Sequence, residues 1–185
     1  MNRFAALLIL LCLLFTSARA ELLGKEVEIT APANWESVAP LPPGQPALPY
    51  PVLKYVPKDG RNAAVLLKLL PADVPGYEVT DLVSLWGFHL VESQPYLSGP
   101  DARPALNQLK VPGGLGVYLT TEDPALIGKP VPPGEFRIAT TVSLLLGGKT
   151  LLHCTIFHDE KDSIDLKEAL KIVLSAATHA PSQTI

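Results

Sequence analysis

The chain has 185 residues, 48% of them apolar and 18% charged, with a formal net charge of −3, which suits one ordinary domain with a sizeable core. Its lysines and arginines are scattered, which argues against a phosphate-binding nucleic-acid surface and against a polybasic grip on anionic lipid.

The first twenty residues read as a secretory signal peptide. Met1-Asn2-Arg3 is a basic start, and Phe4 to Phe15 is an apolar run. Thr16-Ser17 breaks it before Ala18-Arg19-Ala20, which sets small residues at the −3 and −1 positions of a cleavage site. The run is too short to anchor stably in a bilayer. Cys12 follows Ile9-Leu10-Leu11, where a bacterial lipoprotein signal needs a small residue, so no lipid attachment is expected. The prediction is a removed leader over 1–20, one domain over 21–180 and a disordered tail over 181–185, exported to the periplasm or beyond. The leader carries Arg3 and Arg19 and no acid, so its loss takes the net charge from −3 to −5. It also takes Cys12, which leaves Cys154 alone and no intrachain disulfide. No later apolar run approaches the roughly 20 residues that cross a membrane.

Lys25 to Thr30 alternates, with Val27 and Ile29 opposite Glu26, Glu28 and Thr30, which predicts a half-buried strand closed by Ala31-Pro32. Trp35 is expected to fold back onto the sheet edge. Pro40 to Pro51 is a stiff proline loop. Val52 to Val56 and Ala63 to Leu70 read as a hairpin turned by Pro57-Lys58-Asp59-Gly60. Thr80 is placed to cap a helix from Asp81 to about Glu92, with Leu82, Trp86 and Leu90, flanked by Val83 and Leu85, as its apolar face. A loop from Pro95 to Pro104 leads to strands at Leu106–Val111 and Leu115–Thr121, joined across Pro112-Gly113-Gly114. After a second proline loop, Pro124 to Pro133, two β-rich runs (Glu135–Leu146 and Lys149–His158) form a hairpin with a two-residue Gly147-Gly148 turn. Asp162 or Ser163 then caps an amphipathic helix from Ile164 to about Thr178, with Leu166, Ala169, Leu170, Val173 and Ala177 on one side. Paired hairpins without βαβ alternation predict an α+β domain, a mainly antiparallel sheet covered by helices.

Two stretches resemble PsbP-like proteins. One is the opening Ile29-Thr30-Ala31-Pro32-Ala33-Asn34-Trp35, a strand followed by Pro-x-x-Trp; the other is the closing helix Asp165-Leu166-Lys167-Glu168-Ala169-Leu170. The order of elements between them also follows that family. PsbP is the extrinsic subunit at the lumenal face of photosystem II, and its relatives include exported bacterial proteins. The resemblance implies a PsbP-like α/β/α sandwich and a non-catalytic, partner-binding protein. No motif here matches a functional residue of the family.

Alternation puts Leu152, Cys154 and Ile156 on one face of the last strand and His153, Thr155 and Phe157 on the other. Cys154 is therefore read as a buried core thiol, with pairing between chains and catalysis as alternatives. His153 and His158 face opposite ways and cannot share one ion. The metal candidates are His158, Asp159, Glu160 and Asp162, where oxygens gather as the strand leaves the sheet. The competing reading is a solvated corner whose acids cap the next helix. His89 and His179 have ordinary structural readings. Serine-nucleophile motifs are missing, and the glycines of Val111–Gly116 join two strands, whereas a dinucleotide site needs a helix after its turn. The proline loops carry Leu41, Leu48, Tyr50, Leu126, Ile127 and Val131, either as satellite core or as partner contacts.

Together these features predict an exported, non-enzymatic binding or assembly protein with no cofactor. Its protein partner would meet Leu48, Tyr50, Leu126 and Ile127 and the nearby sheet edge. One alternative is a metal-dependent enzyme or module centred on the His158-Asp159-Glu160 corner. Another is a carrier of a small lipophilic ligand held between helix and sheet, which requires an internal cavity.

Overall fold

The structure, a computed structural model, describes residues 19–42, 44–72, 78–97, 104–105 and 107–178. Residues 1–18 with Cys12, the loop residues 98–103, Leu106, His179 and the 181–185 tail lie outside the described residues. The first element is one that alternation did not flag: β1 (Arg19–Leu23) pairs antiparallel with β2 (Val27–Ala31) as a separate hairpin. Arg19 and Ala20, ahead of the expected cleavage point, are the first two residues of β1. Then come β3 (Trp35–Val38), β4 (Val52–Pro57), β5 (Ala64–Pro71), helix α1 (Leu82–Ser93), β6 (Asn107–Leu109), β7 (Gly114–Glu122), β8 (Ile138–Leu146), β9 (Thr150–His158) and helix α2 (Ile164–Thr178). The strands from β3 onward form one antiparallel sheet in the order β3-β4-β5-β9-β8-β7-β6. The class is α+β, as the element order predicts.

Both faces of the sheet are covered, and β8 is buried along its whole length. On one face Val142, Leu144, Leu152, Cys154 and Ile156 pack beneath Ala169, Ile172, Val173 and Ala176 of α2 and beneath Leu23, Val27 and Ile29 of the β1–β2 hairpin. On the other, Val117, Leu145 and Leu151 pack beneath Leu85 and Phe88 of α1. Each such Leu, Ile or Val contributes about 1.5–3 kcal/mol on burial. The covers are offset: α1 lies over β7 and β8, whereas α2 lies over β2, β9 and β5. The α2-side face of β6–β8 is consequently left beside that helix.

Three local expectations need correction. The turn between β8 and β9 has three residues, since Leu146 pairs with Thr150 and Lys149 N–H donates to the Leu146 carbonyl at 3.2 Å. Gly147 and Gly148 take φ of 57° and 69°, which glycine adopts without steric cost. The extra residue moves the pairing by one and brings Ser143 opposite His153. At α1 the cap is Asp81, not Thr80: its carboxylate accepts from Ser84 N–H at 2.8 Å, and Ser84 Oγ accepts from Asp81 N–H at 3.1 Å. The ionised carboxylate is the stronger acceptor at the positive helix end. The buried face of α1 is Leu85, Phe88, His89 and Ser93, while Val83 is 80% exposed. Leu85 is buried and Leu82 and Trp86 of the expected face are half-buried against the same layer; the apolar pattern left out the polar half of the stripe, His89 and Ser93.

Trp35 is buried at the start of β3, and its indole Nε1–H donates to Glu168 Oε2 at 3.0 Å. Arg61 joins Glu168 (3.1 Å) to Asp165 and Asp59. The two stretches that carry the PsbP-like resemblance therefore touch each other.

Candidate functional site

Beneath α1 the sheet carries hydroxyls where an apolar layer would be routine. Ser143 Oγ lies 2.8 Å from His89 Nδ1 and 2.9 Å from His153 Nδ1. Thr141 Oγ1 lies 3.3 Å from His89 Nε2 and 2.8 Å from Ser93 Oγ. All five residues are buried. Burial pushes His89 down to about 3, with the charge of His153 adding to it, and burial with the Lys68 charge does the same to His153. Both imidazoles are neutral. One hydroxyl has one proton, so Ser143 donates to one Nδ1 and accepts from the other, and the two histidines hold opposite tautomers. A serine between histidines has the parts of a nucleophile and its base. Here the group is enclosed, no carboxylate among the described residues orients either ring, and neither cavity described below is lined by it. It ties α1 to β8 and β9.

On the opposite face, His158 is 0% exposed. Its Nδ1 lies 2.9 Å from the Glu160 carbonyl oxygen, which only accepts, so the ring proton is on Nδ1. Nε2 therefore accepts from the Thr140 hydroxyl at 3.0 Å. Thr140, its one proton committed, accepts from Thr120 Oγ1 at 3.0 Å. Burial lowers the His158 pKa, against the opposing pull of the Glu160 carbonyl, Asp165 and Asp159. Asp159 accepts from the Arg137 backbone N–H at 3.1 Å and from Asn62 Nδ2 at 2.8 Å. Glu160 is exposed, and Asp162 stands exposed with φ of 59°. Ser163 caps α2, its Oγ accepting from Leu166 N–H at 3.1 Å. The structure thus does not bring His158, Asp159, Glu160 and Asp162 to a common point. Among the described residues no three His, Cys, Asp or Glu are grouped to hold a metal ion.

The loop candidates separate in the same way. Tyr50 is half-buried under Lys68 Nζ, 4.5 Å from the ring centroid, and Lys68 pairs with Glu92 of α1. Leu48 is exposed. Leu126 is only 8% exposed, while its neighbour Ile127 is 57% exposed. Lys68 sits in the row of His153, and Ile127 lies past the end of β7 in the row of His158, ~17 Å further along the strands at about 3.3 Å per residue. Arg137 fixes the second proline loop, donating to the carbonyls of Leu126 (3.3 Å), Lys129 (2.7 Å) and Asp159 (3.3 Å).

Sequence reasoning missed the edge of β7. The strand β6 covers only Gly116 to Tyr118. From Leu119 to Glu122, β7 has β8 on one side and, among the described residues, no strand on the other. A cavity flanks this stretch on each face. That on the α1 side, about 460 Å³, is lined by Tyr96, Thr121, Leu126, Phe136 and Phe157 among others. That on the α2 side, about 630 Å³, is lined by Leu109, Tyr118, Thr120, Leu166 and Leu170 with His158 and Asp162.

No protein-family model matches the chain, and no curated protein shows significant sequence similarity to it.

Proposed function

We propose that this is an exported, non-enzymatic binding protein of PsbP-like architecture, whose protein partner adds an extended segment to the open edge of β7. The edge from Leu119 to Glu122 is the observation that carries it. Backbone N–H and C=O groups along such an edge are matched by another extended chain. Side chains of an added strand alternate between faces, and each face here has a cavity to receive them; strand addition draws affinity from the backbone and specificity from such pockets. Ile127 stands exposed beside Leu126 on the α1-side rim. The non-enzymatic reading is supported by the enclosure of the Ser143–histidine group and by the internal commitment of His158 and Asp159. The leader pattern supports export, and the contact of Trp35 with Glu168 supports the PsbP-like part.

The test is photo-crosslinking of the chain in its native envelope or culture fluid, with the crosslinker at Ile127 or, separately, at Leu48. The peptide recovered at Ile127, made synthetically, should slow amide hydrogen exchange at Leu119–Glu122. Exchange unchanged there, or adducts at Leu48 alone, would refute the β7 surface.

A further inference from the structure

The groove beside α2 has walls of two kinds. Leu109, Tyr118, Leu166 and Leu170, all half-buried, supply an apolar bed. Thr120, Thr140 and His158 supply a polar end, and the volume of about 630 Å³ is that of small-molecule sites. The direction of the hydrogen-bond chain decides what that end can recognise. The Glu160 carbonyl fixes the proton on His158 Nδ1, the Nε2 lone pair takes the Thr140 proton, and Thr140 takes the Thr120 proton. Thr120 is exposed at the mouth of the chain. Its only proton points inward, so toward the groove it shows oxygen lone pairs alone. The carboxylate of Asp162, on the same wall, is also an acceptor. Lys161 is the cation of the described lining, and its Nζ is held 2.9 Å from Glu122 Oε2.

We propose that this groove binds a small amphiphile with an apolar body and a hydrogen-bond-donating head, an alcohol or an amine. The head donates to Thr120, and the body lies between Tyr118 and Leu109 on the sheet and Leu166 and Leu170 on α2. A carboxylate or ketone head brings lone pairs to the lone pairs of Thr120 and finds protons only away from it, on the Gln108 amide and the Glu122-paired Lys161 of the described lining, so it binds more weakly. The groove is the α2-side cavity that flanks the edge of β7, and Thr120 belongs to both; the titration below uses no peptide, so it tests this site apart from the peptide-binding reading.

The test is titration of isotope-labelled protein at pH 8 with octan-1-ol, octylamine, octan-2-one and octanoate, followed by NMR at the Leu166 and Leu170 methyls and the Thr120 amide. The alcohol and the ketone are neutral and of equal length, so their difference reports the head and not the net charge of the protein. Saturable shifts at these groups are expected, with the alcohol and amine binding about fivefold or more tighter than the ketone and octanoate. Thr120→Val keeps the shape of an exposed side chain and removes the acceptor; it should bring alcohol and ketone to equal affinity. Three results would each overturn the proposal: no saturable shift at the groove methyls, a ketone or octanoate that binds as tightly as the alcohol, or a preference that survives in Thr120→Val.

Discussion

The two histidines beneath α1 make stability fall as pH drops from 6.5 toward 3, while the Asp165 carboxyl, raised by burial, works the other way. Each has an ordinary pKa of 6.5 and is held at about 3 in the folded protein. Because the folded values lie below the unfolded one, the unfolded chain takes up protons first as pH falls. The stability tied to the neutral rings is complete above pH 6.5 and drains away down to about pH 3. At pH 5 each ring is 1.5 pH units below its unfolded pKa, which at 1.36 kcal/mol per unit costs about 2 kcal/mol, or about 4 kcal/mol for the pair. His158, also lowered, acts in the same direction. For a domain whose total stability is about 5–15 kcal/mol this is a large share. Asp59, Asp81 and Glu168, all lowered, lose their contributions only as pH falls below their ordinary values near 4. Urea unfolding at pH 7.5 and pH 5.0 should therefore show a midpoint lower by about 2 M at pH 5, taking a slope of about 2 kcal/mol per molar. His89→Gln with His153→Gln should start less stable and lose far less over the same interval. NMR titration of the imidazoles covers the case in which that variant does not fold. A midpoint near 6.5 for either ring in the wild-type protein would refute the reasoning.

Ser143→Ala leaves the Nδ1 groups of both histidines without a partner and should cost about 1–3 kcal/mol in the same urea assay; a loss below about 0.5 kcal/mol would show the bridge to be idle. Cys154 is fully enclosed, and burial pushes its thiol up, so a thiol reagent at pH 8 should label it only at the rate of unfolding; rapid labelling or a disulfide-linked dimer would contradict the core assignment. Leu126→Ala should cost about 2 kcal/mol or more and Ile127→Ala no more than about 0.5 kcal/mol, because one side chain is buried and the other is not; equal losses in thermal unfolding would mean that the second proline loop packs otherwise.

Elements with a clean period were legible in the sequence. Helix α2 runs over the predicted Ile164–Thr178, and Leu152, Cys154 and Ile156 share a face as alternation requires. The strand β1 was hidden because Arg19 and Ala20 were assigned to the leader and only Glu21, Leu22 and Leu23 remained, too few to show a period. The register of β8 on β9 was off by one because Gly-Gly is compatible with loops of two or three residues, and sequence alone does not count Lys149 in. The candidate site was least legible. Its apolar walls come from β6, β7 and α2, far apart in the chain, and its polar end depends on which face Thr120 and Thr140 take, hence on that register.

The strand buried along its whole length, β8, explains why the histidines are structural. At its middle β8 carries three hydroxyls, with Thr140 facing α2 and Thr141 and Ser143 facing α1. Each is matched to a histidine: Thr140 to His158, Thr141 to His89, and Ser143 to His89 and His153. A slip of one residue would carry Ser143 and Thr141 into the layer of Val142, Leu144 and Cys154, where His158 could meet at most one of them. Each orphaned hydroxyl would cost about 1–3 kcal/mol, and the imidazoles left behind would cost as much again. A run of apolar residues alone would tolerate that slip far better. The polar groups thus hold β8 in one register, and the histidines are occupied in doing so. Among the described residues, what the fold leaves unmatched is the outer edge of β7 from Leu119 to Glu122 and the acceptor of Thr120 at the end of the His158 chain.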